Sequence, residues 1–174
     1  MFSGDNRDTL YTVTGSNAGS NTLNCAENMS NVASVTNIYP TAASNISIRI
    51  AMGPANNNSY GFFYIGGIKI MYTDPAIPEP PLAHQQAPII INIGGTNSAA
   101  YTGMDNSPQT ITDLINTNGD ATTLDVQLTN TFAGMRTTPL VPTGDAAVFG
   151  EAFRTGVYGS DSDPDGQYVF RDTI

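Results

Sequence analysis

Charged side chains are scarce in this sequence. Asp, Glu, Lys and Arg make up 12% of its 174 residues, about half of the usual share of roughly 25%. Only 6 residues are Lys or Arg, and the formal net charge is −9. Nucleic-acid binding requires clustered basic residues that neutralise phosphates, and anionic membrane surfaces attract the same residues. The composition therefore argues against both nucleic-acid and membrane partners.

The residues that most often carry catalysis are also few. The chain has one cysteine, Cys25, and one histidine, His84, so it cannot form an intrachain disulfide or a zinc cluster of His and Cys. His84 lies in a proline-rich stretch, and the sequence has no Gly-x-Ser-x-Gly elbow and no phosphate-binding loop. We expect that the protein is not an enzyme, and that Cys25 is a small buried residue.

Long apolar runs are missing as well. No stretch of about 20 apolar residues could form a membrane-spanning helix. The opening residues, Met1-Phe2-Ser3-Gly4-Asp5-Asn6-Arg7, have neither the basic start nor the apolar stretch of a signal peptide. The acidic, Lys-poor and Thr/Asn-rich composition is nevertheless typical of secreted proteins. We expect an extracellular or cell-surface location for a mature chain or for a piece of a longer one.

What the sequence does contain is short segments of alternating polarity between turn residues, the pattern of β-strands. The alternation predicts strands at 10–15, 21–25, 33–38, 46–51, 62–72, 89–93, 110–115, 124–131 and 167–173. An Ala- and Phe-containing stretch predicts at most one short helix, near 145–154. These elements predict an all-β protein, an antiparallel β-sandwich of the jelly-roll or immunoglobulin-like kind.

A proline-rich stretch at 73–88 interrupts this series of strands. Proline fixes φ and removes a backbone donor, so such a stretch favours a semi-rigid extended linker. The linker divides the chain into 1–72 and 89–174, which we interpret as two half-modules.

A recognisable order of motifs emerges when the second half is placed before the first. Read cyclically, Tyr168-Val169-Phe170 is followed by Asp5-Asn6-Arg7 and then by Tyr11-Thr12-Val13-Thr14-Gly15. This order resembles the β-sandwich repeat modules of large secreted and cell-surface bacterial proteins. In the resemblance, 89–174 corresponds to the first half of a module and 1–72 to its second half. It covers nearly the whole chain, in circularly permuted order.

The ends of the chain read as strands rather than as polar tails, which suggests that they pair with something. The residues concerned are Met1, Phe2, Phe170, Thr173 and Ile174. Three explanations are open: one register of a tandem-repeat polymer, a subunit that completes its neighbour by strand donation, or a permuted monomer whose ends pair internally. The first two generate a linear array of copies of the chain.

The function that follows is a non-catalytic structural module of an extracellular filament or tandem-repeat surface fibre, assembled head to tail by strand complementation or by covalent repeat continuity. The alternative is a carbohydrate-binding module of a secreted hydrolase or adhesin, with glycans as partners. Exposed aromatic side chains would stack on sugars, and the sequence offers Tyr60, Phe62, Phe63, Tyr64 and Tyr72. Alternation predicts that Phe62 and Tyr64 are buried, and the absence of Trp weakens the carbohydrate alternative.

Two clusters carry charge. Asp161, Asp163 and Asp165 alternate before Gly166, and Asp172 falls at the twelfth position of the loop, so the spacing matches the start of a Ca²⁺ loop. Pro164 inside the cluster and the strand pattern after it favour the alternative, a solvated acidic turn. In the second cluster, Asp5, Arg7 and Asp8 are predicted to pin loops together, with Arg7 hydrogen-bonded to either aspartate.

Overall fold

The structure, a computed structural model, describes residues 5–72, 87–137, 141–163 and 165–172. Within them the chain forms strands and one 3-10 helix, Gly144–Arg154. The strands are β1 (Asp8–Thr14), β2 (Ala18–Asn24), β3 (Asn45–Met52), β4 (Phe63–Ile65), β5 (Gly67–Ile70), β6 (Ile89–Ile93), β7 (Thr102–Met104), β8 (Gln109–Ile111), β9 (Leu124–Leu128), β10 (Gly134–Thr137), β11 (Thr155–Gly159) and β12 (Gly166–Asp172). No helix in these ranges has the length and apolarity needed to cross a membrane.

The strands form three sheets. The largest has six strands in the order β2-β1-β3-β12-β9-β8, and the other two have the orders β10-β11-β4 and β5-β6-β7. Every pairing between neighbouring strands is antiparallel except that of β6 with β7, which is parallel. The all-β class predicted from the alternation is therefore confirmed.

Strands from the two sides of the proline-rich stretch share sheets. β12 lies between β3 and β9, and its Tyr168 is opposite Ile48 on one side and Leu128 on the other. β4 pairs in turn with β11, where Tyr64 is opposite Tyr158. The described residues on both sides of the proline-rich stretch thus contribute strands to all three sheets.

The two small sheets are joined by one continuous segment, 63–70, which forms β4 and then β5. Gly66 lies between these strands, and its carbonyl accepts a hydrogen bond of 3.0 Å from the amide of Ile93 in β6. A side chain on Gly156 of β11 would lie 3.0 Å from the carbonyl oxygen of Ile65. Glycine at that position lets β11 approach the junction closely.

The core draws apolar side chains from all three sheets. Alternation places one face of each strand inward. β6 differs, since all of its residues, Ile89–Ile93, are buried, as expected for a strand that is covered on both faces. The buried cluster consists of Ile50, Phe63, Ile65, Ile68, Ile89, Ile91, Ile93, Met104, Leu114, Val126, Leu128, Phe132, Val157, Tyr168 and Phe170.

Several details of the predicted elements are wrong. The segment 33–38 forms no strand, because it lies against β2 through side chains: the Asn21 amide donates to the Ser34 carbonyl at 3.0 Å, and Gly19 faces Val35 and Ile38. The strand predicted at 110–115 ends at Ile111, and the strand predicted at 124–131 ends at Leu128. The strand predicted at 62–72 is interrupted at Gly66, where the chain leaves one sheet for another.

The helix predicted near 145–154 is present as the 3-10 helix Gly144–Arg154, broken at Gly150, which has a positive φ of 50°. The strand that follows directly, β11, was not anticipated. Met1, Phe2, Thr173 and Ile174 lie outside the described residues, as do 73–86 of the predicted linker. Phe170 is 4% exposed and belongs to the core of its own chain.

Candidate functional site

Arg7, in the loop before β1, packs against the faces of two aromatic rings. Its guanidinium is 5.6 Å from the ring centroid of Phe62 and 5.8 Å from that of Tyr64. It also donates to the Tyr64 hydroxyl at 2.5 Å and to Asp5 Oδ1, through Nε, at 3.2 Å. The Arg7 side chain is only 11% exposed. The charge of Arg7 is therefore satisfied within the protein by one carboxylate, one hydroxyl and two ring faces.

Asp5 is the carboxylate of this arrangement. Its Oδ2 accepts a hydrogen bond from the side-chain amide of Asn58. That bond, followed by the hydrogen bond from Arg7, lowers the pKa of Asp5 below its ordinary value. The ionised form of Asp5 thus joins the chain before β1 to the loop before β4.

Asp8, by contrast, is held by backbone groups. Its Oδ2 accepts from the amide of Ala55 at 3.0 Å, and its carbonyl accepts from the amide of Gly53 at 2.8 Å. Asp8 is 5% exposed and makes no ion pair with Arg7 among the described residues. Of the two partners considered for Arg7, the structure places Asp5 against it. The loop-pinning role of the three residues stays a prediction that stability measurements test.

The faces of β4 are the reverse of those predicted. Phe63 and Ile65 are buried, at 1% and 6% exposure, whereas Phe62 and Tyr64 are half-buried on the outer face. The register explains this, because β4 pairs with β11 so that Ile65 is opposite Val157 of the core. The prediction that Phe62 and Tyr64 are the core pair was wrong.

The outer aromatic side chains contact one another. Tyr60 stacks on Phe62 with a centroid distance of 5.4 Å, and Phe62 meets Tyr158 edge to face at 5.5 Å. Tyr64 and Tyr158 are 6.0 Å apart. The rings therefore use much of their surface on each other. The exposed exception is Tyr60, at 65% exposure.

Cys25 lies at the end of β2 beside two hydroxyl groups. Its sulfur is 3.4 Å from the Tyr11 hydroxyl and 3.4 Å from Thr9 Oγ1. The Tyr11 hydroxyl also donates to the carbonyl of Tyr64 at 2.8 Å. Burial raises the pKa of Cys25 and of Tyr11. A thiol with a raised pKa is a poor nucleophile, so this cluster joins β1, β2 and β4 structurally.

In the acidic loop at 161–165, Asp163 and Asp165 bond to different partners. Asp163 Oδ2 accepts from the Ser160 amide at 2.9 Å and hydroxyl at 2.7 Å. Asp165 forms an ion pair with Arg49, Asp161 is exposed, and Asp172 is the last residue of β12. The described residues contain no group of three or more His, Cys, Asp or Glu side chains suited to a metal ion. The Ca²⁺ site stays a prediction.

The feature that the sequence did not indicate is the edge of the six-stranded sheet at β2. Among the described residues, β2 has one neighbouring strand, β1. The Cys25 amide bonds to the carbonyl of Arg7, and Thr9 is opposite Leu23 in the same register. In an antiparallel pair hydrogen-bonded residues alternate. The odd residues of β2 therefore bond to β1, and Ala18, Ser20 and Thr22 direct their backbone N–H and C=O groups outward.

This edge has no charged residue and no proline of its own, and the segment 33–38 lies against β2 through contacts with Asn21 and Gly19. Edge strands are commonly short, or carry charged side chains or proline. β2 has 7 residues, Ala-Gly-Ser-Asn-Thr-Leu-Asn, with no charge and no proline. One of the outward amides already has a partner within the chain, because the Thr22 N–H donates to Oδ1 of the preceding residue, Asn21, at 2.8 Å. The opposite edge of the sheet, β8, has only 3 residues.

Comparison of the chain with protein-family models, with curated proteins and with solved structures finds no match.

Proposed function

We propose that the chain is a non-catalytic structural module of an extracellular filament or tandem-repeat surface fibre, and that copies of it contact one another through sheet edges. In this proposal the six-stranded sheet packs as one layer of a β-sandwich, and the two small sheets make the other. The shared core supports that arrangement, because Ile50 and Val126 of the large sheet belong to one buried cluster with Ile65 and Ile91 of the small sheets.

The open edge at β2 is the observation that carries the proposal. A row of outward backbone groups on a strand without charge or proline is a template for pairing with another strand. Burial of that edge by a neighbouring copy removes the liability and extends the sheet. The C-terminal strand β12 is less suited to this role, since it already has neighbours on both sides within its own chain.

Charge favours the same edge for contact between copies. Each chain carries a formal net charge of −9, so two copies repel each other over most of their surface. Ala18–Asn24 contains no charged residue. Two copies that meet at β2 therefore bring no like charges directly opposite each other within the strands.

Sedimentation equilibrium of the purified chain tests the proposal. We expect the apparent mass to rise with protein concentration for the wild type and for Ser20→Ala, which keeps the outward amide. Ser20→Pro removes that amide without removing a bond to β1, so it should reduce the association constant at least tenfold. A wild type that stays monomeric at millimolar concentration, with only dispersed monomers in electron micrographs, would refute the proposal.

One observation favours the second candidate, a carbohydrate-binding module. The Tyr60 ring is 65% exposed and is supported from behind by Phe62, as a sugar-stacking ring would be. A glycan array tests this candidate with Tyr60→Ala, and with Tyr39→Ala as the control because Tyr39 is 63% exposed and has no described ring contact. Glycan signals that Tyr60→Ala abolishes and Tyr39→Ala retains would support carbohydrate binding.

A further inference from the structure

We infer that β2 pairs antiparallel with β2 of a second copy, with Asn21 opposite Asn21, so that two six-stranded sheets become one continuous sheet. This inference rests on the proposed function and gives the contact between sheet edges a specific surface and register. Because a two-fold contact is closed, it joins copies in pairs, and head-to-tail contacts or covalent repeats continue the fibre. A two-fold axis is the commonest symmetry of protein pairs and presents the same surface on both partners. An edge strand pairing with its own copy satisfies that requirement.

The register follows from the alternation along β2. Only residues whose N–H and C=O point outward can form the new hydrogen-bonded pairs, and these are the even residues of the strand. With Asn21 on the axis, Ala18 is opposite Asn24 and Ser20 is opposite Thr22. This register pairs all 7 residues of the strand. An axis at Ser20 also pairs even residues with each other, but it leaves Leu23 and Asn24 beyond the overlap.

Asn21 makes the pairing conditional. Its Oδ1 accepts the Thr22 amide at 2.8 Å, and this amide is a donor that the second copy would use. Pairing therefore exchanges one hydrogen bond for another at this position instead of adding one. Its Nδ2 bonds to the Ser34 carbonyl at 3.0 Å, which holds the side chain against the segment 33–38. A single pair of strands is also a small interface, so the contact should be weak in isolation and should strengthen in an array.

Disulfide cross-linking reads the register directly. In the proposed arrangement the Cα atoms of Asn21 in the two copies form a non-hydrogen-bonded pair, about 4.5 Å apart, within the disulfide range of about 4.4–6.8 Å. The Cα atoms of Ser20 in the two copies are offset by two residues, about 8 Å apart, which is too far for a disulfide. Both variants are made in a Cys25→Ser background to remove the native thiol.

We expect Asn21→Cys to form a disulfide-linked dimer at least tenfold faster than Ser20→Cys under mild oxidation. Faster linking of Ser20→Cys would place the axis at Ser20 and overturn the register. Far-ultraviolet circular dichroism and thermal melting show whether each variant is folded.

A second pair of variants avoids Asn21, whose side-chain bonds are lost in the first. In the proposed register Ser20 is directly opposite Thr22 of the other copy, with the Cα atoms about 5.5 Å apart. An equimolar mixture of Ser20→Cys and Thr22→Cys chains should therefore cross-link at least tenfold faster than either chain alone. Absence of that preference, in chains that still associate in sedimentation, would overturn the inference and leave the proposed function standing. Absence of both cross-linking and association would remove both.

Discussion

Tyr168 has a hydroxyl group that is buried without a hydrogen-bond partner in the part of the chain that the structure describes. The residue is 0% exposed, its ring lies 5.9 Å from that of Phe132, and burial raises the pKa of the phenol. A buried polar group without a partner costs about 1–3 kcal/mol. We therefore predict that Tyr168→Phe increases the free energy of unfolding by about 1 kcal/mol. The substitution removes the unpaired oxygen and keeps the ring, so little packing is lost.

The same chain offers a matched control. The Tyr11 hydroxyl donates to the carbonyl of Tyr64 at 2.8 Å and lies 3.4 Å from the sulfur of Cys25. Tyr11→Phe removes the same atom as Tyr168→Phe, but it also removes a hydrogen bond. We expect it to lower the free energy of unfolding by about 1 kcal/mol.

Urea denaturation followed by tyrosine fluorescence and circular dichroism measures both changes. For a chain of this size a change of 1 kcal/mol corresponds to about 2–4 °C in melting temperature. The two substitutions should therefore move the melting temperature in opposite directions. If Tyr168→Phe destabilises the protein as much as Tyr11→Phe does, the hydroxyl of Tyr168 has a partner and the reasoning is wrong.

Three further predictions concern the charged clusters. Arg7→Met should lower the free energy of unfolding by about 1–3 kcal/mol, because it removes an ion pair and two ring contacts. Arg49→Met, which removes an exposed ion pair with Asp165, should cost less than about 1 kcal/mol, and equal losses in urea titrations would contradict the assignment. Because the pKa of Asp5 is lowered, its contribution to stability is complete above the ordinary aspartate pKa and is lost as pH falls through the folded-state pKa. Asp5→Asn should therefore flatten the dependence of melting temperature on pH below about pH 4, and an unchanged dependence would exclude Asp5 as a contributor. If Ca²⁺ binds the acidic loop, about 1 mM CaCl2 raises the melting temperature of the wild type and not of Asp163→Ala; an unchanged wild type removes calcium from the account.

The longer strands could be predicted because their patterns are unambiguous. Ile48 and Ile50 alternate with polar residues in β3, and β6 is a run of isoleucines between turn residues. β7 and β10 have only 3 and 4 residues. A period of two cannot be recognised over that length, and the partner strand decides whether such a segment joins a sheet.

The facing of β4 could not be predicted for a different reason. Phe62, Phe63, Tyr64 and Ile65 are all large and apolar or aromatic, so alternation defines two faces without identifying the inner one. The register with β11 decides it, and β11 lies roughly ninety residues further along the chain.

The candidate sites divide in the same way. The pairing of Arg7 with a nearby aspartate is local and follows from sequence proximity. The contact of Arg7 with aromatic rings is not local, since Tyr64 is 57 residues away in the sequence. The position of β2 at an edge depends on the strand order of the whole sheet, which no local pattern contains. The lack of charge in β2 could have served as a signal only once that position was known.

Amide hydrogen exchange in the wild-type chain tests the central claim most directly, because it needs no substitution. The Ser20 amide points away from β1, so in the monomer it should exchange rapidly, and the Leu23 amide, bonded to β1, should be slow. Raising the protein concentration should slow exchange at Ser20 at least tenfold and leave Leu23 unchanged. Ser20 exchange that is independent of concentration would contradict the account.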